Sequence, residues 1–120
     1  MEPTEELILD SKSVADLLEL DGGKGKFLAE LVEAYYLESP DRIIQIERSL
    51  IAGDVQGVAR AAHALSGSSA NVGAKRLREV AHRLEKAANA GTLAGAREML
   101  TEIKSDYEAT KSAFANLKKK

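Results

Sequence analysis

The chain has no cysteine, no tryptophan and only two prolines in 120 residues. Without cysteine there is no disulfide staple, no thiolate metal site and no Cys nucleophile, a pattern at home in a reducing compartment. Aromatics are scarce, with three Tyr and two Phe, and β-branched residues never alternate over a long stretch, which argues against a sheet. Neither sign of charge dominates. Lys and Arg total 17 against 19 Asp and Glu, a formal net charge of −2, so nothing pulls the chain globally toward nucleic acid or anionic membrane. No apolar run approaches the ~20 residues that cross a bilayer. The N-terminus, Met1-Glu2-Pro3-Thr4-Glu5-Glu6, is acidic where a secretory leader is basic. The expectation is a soluble cytoplasmic protein with no membrane contact of its own.

What is present is helix-forming: Ala, Leu, Glu, Lys and Arg. Apolar residues make up 44% and charged residues 30% of the chain, enough at this length for one core, so a single domain over residues 1–120 is expected. Ser13 is placed to cap a short first helix carrying Val14, Leu17 and Leu18, and Asp21-Gly22-Gly23 ends it. Phe27, Leu28, Leu31, Val32 and Tyr35 follow at helical spacing. Ser39-Pro40 then marks a restart or a kink, with Ile43, Ile46 and Leu50 on the next turns and Ile44 and Ile51 widening the stripe. Gly53-Asp54 and Gly91-Thr92 read as paired stop and cap signals. Between them run Val55, Val58, Ala62, Leu65 and Ser69, then Leu77, Val80, Ala81, Leu84 and Ala88, with a break at Asn71-Val72-Gly73. A last helix carries Ala96, Met99, Leu100, Ile103, Tyr107, Thr110, Phe114 and Leu117, and the Lys118-Lys119-Lys120 tail either complements its dipole or frays. Short breaks make neighbours antiparallel. The predicted architecture is an all-α, up-and-down four-helix bundle with a short additional N-terminal helix.

The chain has two histidines. At ~100° per residue His63 lies well to one side of the stripe Val58, Ala62, Leu65, so it is at least partly exposed. Gly67 stands one turn away, although glycine inside a helix costs about 1 kcal/mol relative to alanine. A bare surface beside the imidazole lets another protein approach closely. His82, near Glu79, Arg83 and Lys86, reads as a solvated residue. Ser69 continues the inward stripe and is expected to bond the preceding turn.

The run His63-Ala64-Leu65-Ser66-Gly67-Ser68-Ser69-Ala70-Asn71-Val72-Gly73-Ala74, continuing to Leu77 and Leu84-Glu85, resembles the signature of histidine-phosphotransfer (HPt) domains. Ile8-Leu9-Asp10, Leu17-Leu18-Glu19-Leu20, Gly22-Gly23, Phe27-Leu28, Glu38-Ser39-Pro40 and Ala52-Gly53-Asp54 are similar to that family as well, so the likeness covers about residues 8–115. The resemblance implies a phosphorelay intermediate. His63 would take a phosphoryl group from a receiver-domain aspartate or a kinase and pass it to another receiver. Glu85 fills the position from which the family orients the imidazole; on the residues alone it could equally be a surface partner of Arg83 or Lys86. The implied partners are response-regulator receivers and a sensor histidine kinase. The receiver would supply Mg²⁺, and this chain would have no cofactor and no metal site of its own. It would act as a monomeric carrier without independent turnover, not as an enzyme. Gly67, Ser66, Arg60, Lys75 and Arg76 are expected at the receiver-docking surface, with Arg78 a further member of a basic rim. Ser66 departs from the family, which usually has Lys three residues after the histidine. That departure keeps an alternative open: a bundle that binds receivers but has lost phosphotransfer.

Overall fold

The computed structural model describes residues 1–118, and among them there are six helices and no strand. They are α1 (Pro3–Ile8), α2 (Ser11–Glu19), α3 (Lys26–Ile51), α4 (Val55–Val72), α5 (Lys75–Asn89) and α6 (Ala96–Lys118). The four long ones, α3 to α6, form the expected bundle. The N-terminal region holds two short helices where one was expected. The extra one, α1, starts without a Ser, Thr, Asp or Asn cap; instead the Glu5 carboxylate accepts a bond from the Glu2 backbone N–H at 2.7 Å. The cap of α2 is Asp10, not Ser13. Its carboxylate accepts from the backbone N–H groups of Lys12 and Ser13 at 3.1 and 3.2 Å, because the helix begins three residues earlier than a Ser13 cap implies. Expectations for Lys119 and Lys120 lie outside the described residues, and of Lys118 only the backbone, which closes α6, is described.

Helix α3 runs unbroken through Ser39-Pro40, so neither a restart nor a new cap occurs there. Ser39 is buried and its hydroxyl donates back to the Tyr35 carbonyl at 2.6 Å. Pro40 faces solvent, where its missing N–H is tolerated best. Ile44 and Ile51 do not widen the buried stripe; both point outward. The stripe that is buried, Leu28, Val32, Tyr35, Ile43 and Ile46, lies on the opposite side of the helix.

Helices α4 and α5 are the most closely packed pair, followed by α3 with α4. The α3–α4 connection behaves as the sequence suggests: after Gly53, Asp54 accepts from the Gly57 N–H at 2.9 Å and starts α4. At the other end of α4, Gly73 adopts φ of +79° and turns the chain into α5 within two residues. Its carbonyl accepts from the Asp10 N–H at 2.8 Å, which fastens the start of α2 to this corner. Thr92 does not cap α6. It accepts from the Ala94 N–H at 3.0 Å within the connecting turn, and the helix begins at Ala96.

The core is aliphatic at its centre, with Ile46, Val58, Leu65, Leu77, Leu84 and Ile103 fully buried. Toward one side Tyr35, Tyr36 and Tyr107 cluster with ring centroids 6.1 to 6.2 Å apart. Ser69 does not bond its own preceding turn; it meets the Tyr35 hydroxyl at 2.7 Å across the α3–α4 interface. A buried phenol needs a partner, and Ser69 is the hydroxyl within reach. Ser68, beside it, is the one that bonds back, to the Leu65 carbonyl.

Candidate functional site

His63 projects from the middle of α4 with its side chain 75% exposed. Every buried residue of the stripe Val58, Ala62, Leu65 and Ser69 falls on the other side of the helix, which leaves the imidazole in solvent. Its Nδ1 lies 2.7 Å from Oε2 of Glu85 on α5. A carboxylate only accepts, so Nδ1 carries the proton and the Nε2 lone pair is left free. Glu85 itself is only 16% exposed. It stands on the edge where α5 meets α4, one residue past the fully buried Leu84. The backbone packing of two helices therefore aims a carboxylate at the ring.

The second oxygen of Glu85 faces another imidazole. Nδ1 of His82 is 3.6 Å from Oε1, one helical turn back along α5. His82 is solvated, as its polar neighbours in the sequence imply, and its three-residue step to Glu85 is the signal that it also borders the same carboxylate.

Gly67 lies one turn beyond His63, and a Cβ built there meets nothing within 4 Å. No packing contact requires glycine at this position, so what its absence of side chain creates is open surface beside the histidine. Ser66 is half-buried, rotated about 60° from His63 toward α5. Arg60 is exposed one turn before His63, where it borders a shallow cleft of about 480 Å³ together with Gln56, Ala59, Ala88 and Asn89.

One of the expected docking residues is placed elsewhere. Arg76 is half a revolution round α5 from Glu85 and turns toward α6, where its Nε lies 3.3 Å from the buried Asp106 carboxylate. It does not join a rim around His63. Lys75, the first residue of α5, sits at the α4–α5 corner, where its charge adds a small part to the lowering of the Asp10 carboxyl pKa that the Ser13 backbone N–H chiefly causes. Arg78, two turns from Glu85 on nearly the same side of α5, is exposed and takes the place on that edge that Arg76 leaves. Among the described residues no three His, Asp or Glu side chains converge as a metal site, and no helix is long and apolar enough to cross a membrane.

An exposed imidazole with one nitrogen held by a carboxylate and the other free is a nucleophile with a fixed tautomer. Comparison with known proteins points the same way. The family model described as Hpt domain matches residues 30–113. Among solved structures, histidine-containing phosphotransfer protein B (HptB) from Pseudomonas aeruginosa PAO1 superposes with a TM-score of 0.80 at 25% identity, covering 93% of this chain and 96% of that one. The histidine-containing phosphotransfer protein MtHPt2 from Medicago truncatula shows the same fold, with a TM-score of 0.83 at 24% identity over 96% of this chain and 80% of that one. No curated protein matches the sequence. The matched segment runs from α3 to the last turns of α6 and holds both His63 and Glu85, and the chain belongs to the Hpt domain family, the histidine-phosphotransfer intermediates of phosphorelays.

Proposed function

We propose that His63 is the residue that carries the phosphoryl group, and that Glu85 orients it. The observation behind this reading is the 2.7 Å contact between His63 Nδ1 and Glu85 on an otherwise exposed ring. Nε2 attacks the phosphorus of a receiver's aspartyl phosphate. The N–P bond forms as the bond from phosphorus to the acyl oxygen breaks, and the aspartate leaves as a carboxylate. Positive charge grows on the imidazole during attack, and the Glu85 carboxylate at Nδ1 offsets it, as the orienting acid does in a catalytic triad. Attack by a second receiver's aspartate on the phosphohistidine reverses these steps and hands the group on.

The partners in this reading are receiver domains and the sensor kinase that feeds them. Mg²⁺ and its acidic ligands belong to the receiver. Gly67 and Ser66 form the near floor of the docking surface, with Arg60 and Arg78 at its edges and Lys75 at the corner. The chain has no turnover of its own, and its work is done in the cytoplasm beside an ATP-fed kinase. Ser66, in place of lysine, brings no charge to the phosphoryl oxygens, so transfer is slower than in relatives that have one.

Incubation with a ³²P-phosphorylated receiver and Mg²⁺ tests the assignment. Acid-labile, base-stable label should appear on the wild type and be absent from His63→Gln. An unlabelled wild type, or equal label on the variant, would overturn it.

A further inference from the structure

The outer face of α3 carries three large apolar side chains that the bundle does not cover. Leu37, Ile44 and Ile51 are 77%, 43% and 74% exposed. Seven residues advance a helix by about 10.5 Å and return the side chain to within about 20°, so the three form one straight row about 21 Å long. That row lies opposite the buried stripe of α3, facing away from α4.

Two exposed charges flank the row, Asp41 and Arg48. Neither has an ion-pair partner among the described residues, whereas their neighbours do: Arg42 pairs with Glu38 at 3.2 Å and Glu47 with Lys104 at 3.0 Å. Asp41 is three residues before Ile44 and Arg48 four residues after it. Those steps put both on the same side of the row, at about 60° and 40°, and at nearly equal heights of about 4.5 and 6 Å on either side of Ile44. The stripe is therefore close to self-complementary under a two-fold rotation. With the axis through Ile44, each copy's Leu37 meets the other's Ile51, Ile44 meets Ile44, and Asp41 meets Arg48 twice. The opposite flank brings Pro40 against Glu47, whose charge is already met by Lys104. A parallel alignment would turn this flank against the Pro40–Glu47 flank of the other copy, leaving Asp41 without a cation and Arg48 against a carboxylate already paired with Lys104, so the charges favour the antiparallel one.

We propose that α3 is a weak self-association surface whose occupant is a second copy of this chain, packed antiparallel about Ile44. One helix face buries less than the ~1,200 Å² at which stable interfaces begin, so the dissociation constant lies on the order of 10⁻⁴ M. The monomer expected from the sequence is then the state at low micromolar concentration. Because the row faces away from the α4–α5 edge, both His63 side chains stay open in the dimer.

Sedimentation equilibrium between about 10 µM and 1 mM decides it. The wild type should show an average mass that rises with concentration, and Ile44→Asp should weaken association about tenfold or more. Asp41→Arg and Arg48→Asp should each weaken it about fivefold, and the double swap D41R/R48D should return to within about twofold of wild type. All three positions are at the surface, and unchanged helicity and melting temperature confirm that each variant is folded. In the wild type itself, raising salt from about 50 to 500 mM should weaken association about threefold or more, a readout that needs no variant. His63→Gln should associate like wild type, which separates this surface from phosphotransfer. A wild type that stays monomeric throughout, or a double swap no better than the single ones, overturns the proposal.

Discussion

One carboxylate, Glu85, touches His63 at 2.7 Å and lies 3.6 Å from His82, so at the residue scale the proposed reactivity of His63 turns on a single side chain. Glu85→Ala frees the Nδ1 proton and removes the compensating charge; initial transfer rates from a phosphorylated receiver should fall about 10- to 100-fold. Glu85→Gln keeps an acceptor without the charge and should fall in between. Ser66→Lys should act in the other direction, raising the rate about three- to tenfold by bringing an ammonium to the phosphoryl oxygens. Rapid-quench measurements resolve all three. That His63 and Glu85 meet was legible in the sequence because the residues around them follow a family pattern. Arg76 was misplaced, and the approach of His82 to Glu85 missed, for a common reason: both depend on which side of α5 a residue occupies relative to Glu85. Nine residues is half a revolution off, and three residues is close to the same edge. Only the packing of α5 against both α4 and α6 shows which edge matters.

At the scale of the element, α4 contains two interior glycines with opposite surroundings. A Cβ at Gly67 meets nothing within 4 Å, whereas one at Gly57 would lie 2.5 Å from both Asp54 Oδ2 and Ser49 Oγ. Gly67→Ala should therefore stabilise the protein by about 0.5–1 kcal/mol, the ordinary helix-propensity gain. Gly57→Ala should lose that gain and about 1 kcal/mol more, because the new methyl displaces the Asp54 cap. Urea titrations of the two variants side by side measure the contrast. Helix existence was readable from apolar spacing for all four long helices, and the Gly53-Asp54 boundary was readable from its chemistry. Boundaries set by tertiary contact were not. Ser39-Pro40 looked like a helix start, but burial of Ser39 and the exposure of Pro40 let α3 pass straight through. Ile44 and Ile51 looked like core because hydropathy alone does not say how wide a neighbouring helix is.

Across the whole molecule, carboxylates pull acid stability in two directions. Backbone N–H donors, Ser13 foremost for Asp10 and Phe27 for Asp21, hold both carboxyls below their ordinary 3.8. Their folded pKa is depressed, so their contribution is present above about pH 4 and is lost as pH falls through the lowered values. Asp106 has the reverse sign: burial raises its pKa, and Arg76 only partly opposes that. Its ionised form disfavours the folded state above the raised value, and acidification toward 3.8 relieves this. Asp106→Asn should accordingly raise the melting temperature at pH 7, by up to a few degrees, and the gain should shrink at pH 4; calorimetry at the two values checks both parts. The hydrogen bond between His63 and Glu85 has a further meaning at this scale. Its two ends are 22 positions apart in the chain and on different helices. A nascent, misfolded or locally opened molecule holds the histidine apart from the carboxylate that orients it. On the proposed reading, acceptance of phosphate is thus a partial form of proofreading: copies whose two central helices have not closed on each other accept it more slowly, and a damaged copy is under-represented in the signal.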